Sequence, residues 1–140
     1  MGIFLDHTIV PSHDKERAAR FVAEMFGLKY EGPWGHFAPV KFNDGTLSLD
    51  FDNRETFQSQ HYAFLVADDD FDAILGRVQA AGRKYGSGPG SQEDMEINHR
   101  HMGRGFYFRD DDGHSWEVIT HTYTTPTSAG VPAASAGVAN

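Results

Sequence analysis

The chain repeats itself, and that constrains its fold more than any single motif does. His7 stands in an apolar, strand-like run from Phe4 to Val10, and His61 opens another that ends at Val66; 54 residues separate the two histidines. After His7 comes an amphipathic segment, Asp14 to Phe26, closed by Gly27-Leu28-Lys29-Tyr30. After His61 comes Asp69 to Ala81, closed by Gly82-Arg83-Lys84-Tyr85. Each half then sets a turn before an apolar strand: Asn43-Asp44-Gly45 before Leu47–Phe51, and Asp112-Gly113 before Trp116–Ile119. Helical spacing between strand-like runs, repeated at a fixed interval, predicts two copies of one βαβββ unit.

The second copy ends on a carboxylate in an unusual place. Phe106, Tyr107 and Phe108 form an aromatic run, Asp110 to Gly113 supply turn chemistry, and Trp116, Val118 and Ile119 are bulky or β-branched, so residues 105–119 read as a hairpin. Alternation puts Glu117 on the face opposite Trp116 and Val118. If that face is interior, an ionised Glu117 needs a cation, because an unpaired buried charge is costly. Tyr107, ten residues earlier, shares its parity across a regular hairpin.

The repeated pattern, a histidine on the first strand of each half, and the closing run Arg109-Asp110-Asp111-Asp112-Gly113-His114-Ser115-Trp116-Glu117-Val118 together resemble the vicinal oxygen chelate superfamily. That group includes glyoxalases, extradiol dioxygenases, fosfomycin-resistance transferases and bleomycin-binding proteins. The resemblance spans roughly residues 3–122. It implies an α+β fold in which two βαβββ modules, 3–51 and 60–122, build one cupped, eight-stranded mixed sheet around a metal site within a domain of residues 1–122. It also implies that His7, His61 and Glu117 bind one divalent ion, and that Tyr107 can hydrogen-bond a substrate oxyanion. Glyoxalase I-like members have a fourth protein ligand on the last strand of the first half. Here Leu49 is expected at that position, which leaves the fourth carboxylate missing.

Two imidazoles and one carboxylate leave adjacent coordination positions open. That set suits iron(II) oxygenases and is also usable by Mn(II), Zn(II) or Ni(II). The likeness therefore points first to a ring-cleaving, extradiol-like dioxygenase acting on a small chelating substrate. Next come glyoxalase-, epimerase- or fosfomycin-transferase-like metal enzymes, and then a metal-free binding protein. No histidine stands in the fifteen or so residues before His61, where the dioxygenases place a base. Ile9 and Pro126 stand where the fosfomycin transferases would have Thr and Arg. His99 and His101 are candidate proton carriers near neutral pH, whereas His114, inside the turn motif, reads as structural and Trp34 as core or pocket wall.

Composition narrows the partners. A net charge of −8 argues against nucleic acid and against an anionic membrane surface. No apolar run approaches the roughly 20 residues of a membrane-spanning helix, and the first residues lack a signal peptide's pattern, so the expected location is cytoplasmic. The duplicated sheet edges invite a homodimer. The absence of cysteine excludes disulfides and thiolate chemistry. The glycine-rich insertion 86–96 reads as a flexible loop beside the site, and residues 123–140, small and low in complexity, as a disordered tail.

Overall fold

The computed structural model describes residues 2–123, so the expectation for the tail lies outside the described residues apart from Tyr123. The chain divides into two compact units. One runs to Ser59 and includes Asp110–Asp112; the other comprises Gln60–Arg109 and the chain from Gly113.

The first unit contains β1 (His7–Ser12), α1 (Lys15–Phe26), β2 (Ala38–Phe42) and β3 (Leu47–Asn53). Its sheet has the order β1-β3-β2, with β1 parallel and β2 antiparallel to β3. Helix α1 starts where Asp14 accepts a hydrogen bond from the Arg17 amide, filling one of the orphan donors of a helix start. It ends at Gly27, whose φ of 71° is the left-handed cap that glycine takes without strain. Its apolar stripe of Ala18, Ala19, Val22, Ala23 and Met25 is buried, as are Val10, Val40, Leu49 and Phe51 of the three strands. Between β2 and β3 the chain turns through Asn43, Asp44 and Gly45, all at positive φ, the conformation that Asn, Asp and Gly tolerate best.

The second unit contains β4 (His61–Leu65), α2 (Asp68–Ala80), β5 (Tyr85–Gly86), β6 (Gly105–Arg109) and β7 (Ser115–Ile119), with sheet order β4-β7-β6-β5. The strand pair β4–β7 is parallel and the others antiparallel. Phe71, Ile74 and Val78 of α2 are buried, together with Phe106, Phe108, Trp116 and Val118. His114 is fully buried and accepts a hydrogen bond from the Gln60 amide, the structural role expected of it.

The two mixed sheets repeat one topology: β1, α1, β2 and β3 correspond to β4, α2, β6 and β7. This is the α+β architecture that the resemblance implies. The strand count departs from the expected eight, since the described residues form seven. Residues 30–42 make one strand preceded by an isolated Trp34–Phe37 bridge, because Gly32, Pro33 and Gly35 interrupt the run. Trp34 is 75% exposed, so it belongs to no core. The insertion after β5 is tied to itself. Ser87 bonds Asp94 through both its amide and its hydroxyl, the Met95 amide bonds the Tyr85 carbonyl, and Gln92 is buried. Gly86 is required there, because a Cβ would collide with the Ser91 carbonyl oxygen.

Candidate metal and substrate site

The second unit gathers three of the expected residues. In the β4–β7 ladder His61 pairs with Ser115 and Ala63 with Glu117; across β6–β7, Tyr107 lies directly opposite Glu117. His61 Nε2 stands 2.9 Å from Glu117 Oε1. The Tyr107 ring centroid is 5.9 Å from that of His61. Trp116 and Val118, of opposite parity, are fully buried on the helix side, so alternation turns Glu117 to the other face, where its side chain is 16% exposed.

This pair fits a metal on geometric grounds. Two donors each about 2.1 Å from one ion and at right angles to each other are about 3.0 Å apart, close to what the imidazole and carboxylate show. The donor set of imidazole nitrogen and carboxylate oxygen suits a divalent transition metal.

Burial pushes the Tyr107 phenol above its ordinary pKa, and the Glu117 carboxylate adds to the rise, while Arg100 opposes it. The phenol is therefore a neutral donor at physiological pH. His99 and His101 are exposed on the turn Arg100–Met102, and the His101 ring lies 5.9 Å from the ring of Tyr123.

His7 belongs to the first unit. It opens β1 and is paired with Ser48. Its Nδ1 lies 2.8 Å from Asp6 Oδ2, an arrangement that fixes the tautomer and leaves Nε2 as the donor, as in carboxylate–histidine–metal sites. Among the described residues, no group of three His, Asp or Glu side chains is gathered around one point.

The structure moves the first half's acidic position by one residue. Thr8 pairs with Leu49, and Leu49 is buried against α1, so it faces away from His7. Ser48 and Asp50 share the face of His7, joined by a 2.6 Å hydrogen bond from the Ser48 hydroxyl. The ladders are equivalent: His7–Ser48 and Ile9–Asp50 in one, His61–Ser115 and Ala63–Glu117 in the other. Asp50 is thus the repeat's counterpart of Glu117, and the first half does hold a carboxylate. A one-residue slip in register turns every side chain to the other face, which is why Leu49 could not serve. The signal was present in Ser48-Leu49-Asp50 against Ser115-Trp116-Glu117.

The Asp6 hydrogen bond holds the His7 imidazole above its ordinary pKa; slight desolvation opposes this, and the charges of Asp6 and Asp50 reinforce it. Protonated His7 is therefore favoured in the folded chain. The associated stability is full below the unfolded pKa of about 6.5 and is lost as pH rises through the higher folded value. NMR titration of the metal-free protein should show His7 titrating above free imidazole, and Asp6→Asn should lower its midpoint. An unchanged midpoint would show that Asp6 does not govern the ring.

The chain as a whole is similar to known proteins. The sequence profile of the Glyoxalase/Bleomycin resistance protein/Dioxygenase superfamily matches residues 4–118. The solved structure of Oxidase ChaP-H2 is 46% identical, covering 88% of this chain and 97% of that one, with a TM-score of 0.82. Oxidase ChaP-H1 is 41% identical over 89% of this chain and all of that one, also at a TM-score of 0.82. Glutathione transferase FosA from Serratia marcescens is 28% identical over 120 residues, 81% of this chain and 78% of that protein. With the repeated topology and a family match across most of its length, this chain belongs to the glyoxalase/bleomycin resistance/dioxygenase group, the vicinal oxygen chelate superfamily.

Proposed function

We propose that this protein is a metal-dependent oxygenase that acts on small substrates with two neighbouring oxygens, with extradiol-like ring cleavage as its reaction. His7, His61 and Glu117 hold the ion, and iron(II) is favoured. The observation that carries the reading is the convergence of His61, Glu117 and Tyr107 on one face of the second sheet. Similarity to two proteins named as oxidases supports it.

When bound, iron(II) in such a ligand set supplies Lewis acidity toward a chelating substrate and the means to activate O₂. The protein's own groups do the rest. Glu117 and His61 fix the direction from which a substrate approaches. Tyr107, neutral and largely buried in its strand, offers its hydroxyl to an oxyanion of the substrate. His99 and His101, both exposed, exchange protons with solvent.

Asp50 favours a second reading. A carboxylate on the face of His7 is what proton-transfer or transferase chemistry would use, and the likeness to a glutathione transferase agrees with it. Oxygen uptake separates the two. The iron-loaded protein should consume O₂ with one or more of a panel of catechols. Turnover of hemithioacetal or of fosfomycin plus glutathione by the manganese, nickel or zinc forms, with no oxygen uptake, would overturn the oxygenase in favour of the second reading.

The working unit is a homodimer. β1 and β4 are edge strands of their sheets, and Ile3, Phe4 and Leu5 before β1 are 95%, 85% and 65% exposed, an apolar stretch that a second copy would cover. Light scattering at tens of micromolar should give twice the chain mass, and Phe4→Asp should lower it. A monomer mass for the wild type would refute the dimer.

A further inference from the structure

We propose that Ser115 is a substrate-binding residue of this site, donating a hydrogen bond from its hydroxyl to an acceptor oxygen of the substrate outside the chelating pair, and that Gln92 of the insertion holds the hydroxyl in that direction. The inference rests on the proposed site and names the class of molecule it takes: chelating substrates that also carry a carbonyl or similar oxygen. Ser115 lies on the face of Glu117, directly opposite His61 in the β4–β7 ladder, and is partly exposed. Its Oγ accepts from Gln92 Nε2 at 3.0 Å, and its own hydrogen has no acceptor among the described residues. With the amide donating from one side, the hydroxyl hydrogen points away from it. Glu117, two residues along the same strand and face, is about 7 Å away, so a molecule held at the proposed ligands comes within reach of that hydrogen.

The insertion imposes this direction. Gln92 is 8% exposed. Its amide donates one N–H to Ser115 and the other to the Pro89 carbonyl at 3.3 Å; a carbonyl only accepts, so Pro89 fixes which end of the amide faces Ser115. Oε1 is left buried with no partner among the described residues, a cost that a fold keeps only where the rest of the arrangement outweighs it. The same segment crosses the face of the site. Gly86 pairs with Tyr107, and a Cβ on Gly86 would run into the Ser91 carbonyl and the Gln92 Cα. Paired residues share a face, so residues 91 and 92 lie on the side of Tyr107 and Glu117. The repeat supplies the comparison. Ser48 is the first half's counterpart of Ser115, and its hydroxyl donates to Asp50 Oδ1 on its own strand at 2.6 Å. Ser115 makes no such bond to Glu117 among the described residues; it takes the amide of the insertion instead, and its donor stays free.

The test is calorimetric binding to the zinc-loaded and metal-free protein of catechols bearing a formyl group, either next to the chelating oxygens or one ring position further, each against the catechol with methyl in its place. Zinc is redox-silent, so binding is read without turnover. A formyl group also acidifies a catechol and strengthens its hold on any metal, so the quantity read is the change in the formyl-to-methyl affinity ratio between proteins. In at least one pair Ser115→Ala should lower that ratio about threefold to tenfold by weakening the formyl compound, the range of one neutral hydrogen bond. Gln92→Met should lower it part of the way, and no further in a Ser115→Ala background, because the amide acts only through that hydroxyl. A ratio unchanged by Ser115→Ala, an equal weakening of both members of a pair, a Gln92→Met effect that persists in the double variant, or a wild type that binds none of the compounds would overturn the proposal. Binding that is indifferent to zinc would instead refute the metal reading, and the effect of Ser115→Ala on the ratio in the metal-free protein would still decide this one. Circular dichroism of Ser115→Ala should match the wild type.

Discussion

Glu117→Ala should leave the protein without a tightly held divalent ion. A partner of a ligand, when removed, costs ten- to a hundredfold in affinity, and loss of the carboxylate ligand itself should exceed about a hundredfold. Glu117→Gln separates charge from shape: it keeps an oxygen for Tyr107 but removes the negative charge that balances the metal. Both variants should lose metal in calorimetric titration while keeping the fold, because the Glu117 side chain lies on the face away from the buried Trp116 and Val118. Metal binding at wild-type affinity in both variants would remove Glu117 from the ligand set.

Trp116→Ala, one residue away, should do the reverse and unfold the second unit while touching no proposed ligand. Trp116 is fully buried and stacks on Tyr62 with centroids 4.8 Å apart and on Phe64 at 6.1 Å. Truncating a buried aromatic costs about 3–5 kcal/mol, a large part of the 5–15 kcal/mol that holds a typical domain together. Urea unfolding of the metal-free protein, followed by circular dichroism, measures this. Trp34→Ala, at a 75% exposed position, should stay within about 0.5 kcal/mol of wild type. Equal losses at the two tryptophans would contradict the assignment of the core.

The difference between these neighbours shows what the sequence could and could not express. Alternation along Ser115–Ile119 was enough to separate Glu117 from the core, because the strand is flanked by a clear turn and carries bulky residues at every second position. The repeat and the Asn43-Asp44-Gly45 turn were equally readable, since each depends on local chemistry. Register was not. Whether Leu49 or Asp50 faces His7 depends on which residue pairs with which across a parallel ladder, a non-local fact, and a slip of one residue exchanged a core leucine for a carboxylate. One strand fewer than the expected eight forms among the described residues for a local reason, the close spacing of Gly32, Pro33 and Gly35.

The central claim is that His61 and Glu117, with His7, hold one divalent ion. Anomalous diffraction from crystals of the iron- or manganese-loaded protein tests it most directly. The account predicts one strong peak about 2.0–2.3 Å from His61 Nε2, His7 Nε2 and a Glu117 carboxylate oxygen. A peak held by other residues, such as the His36–Asp52 pair 3.3 Å apart in the first unit, or no peak at all from a protein that binds metal in solution, would contradict it.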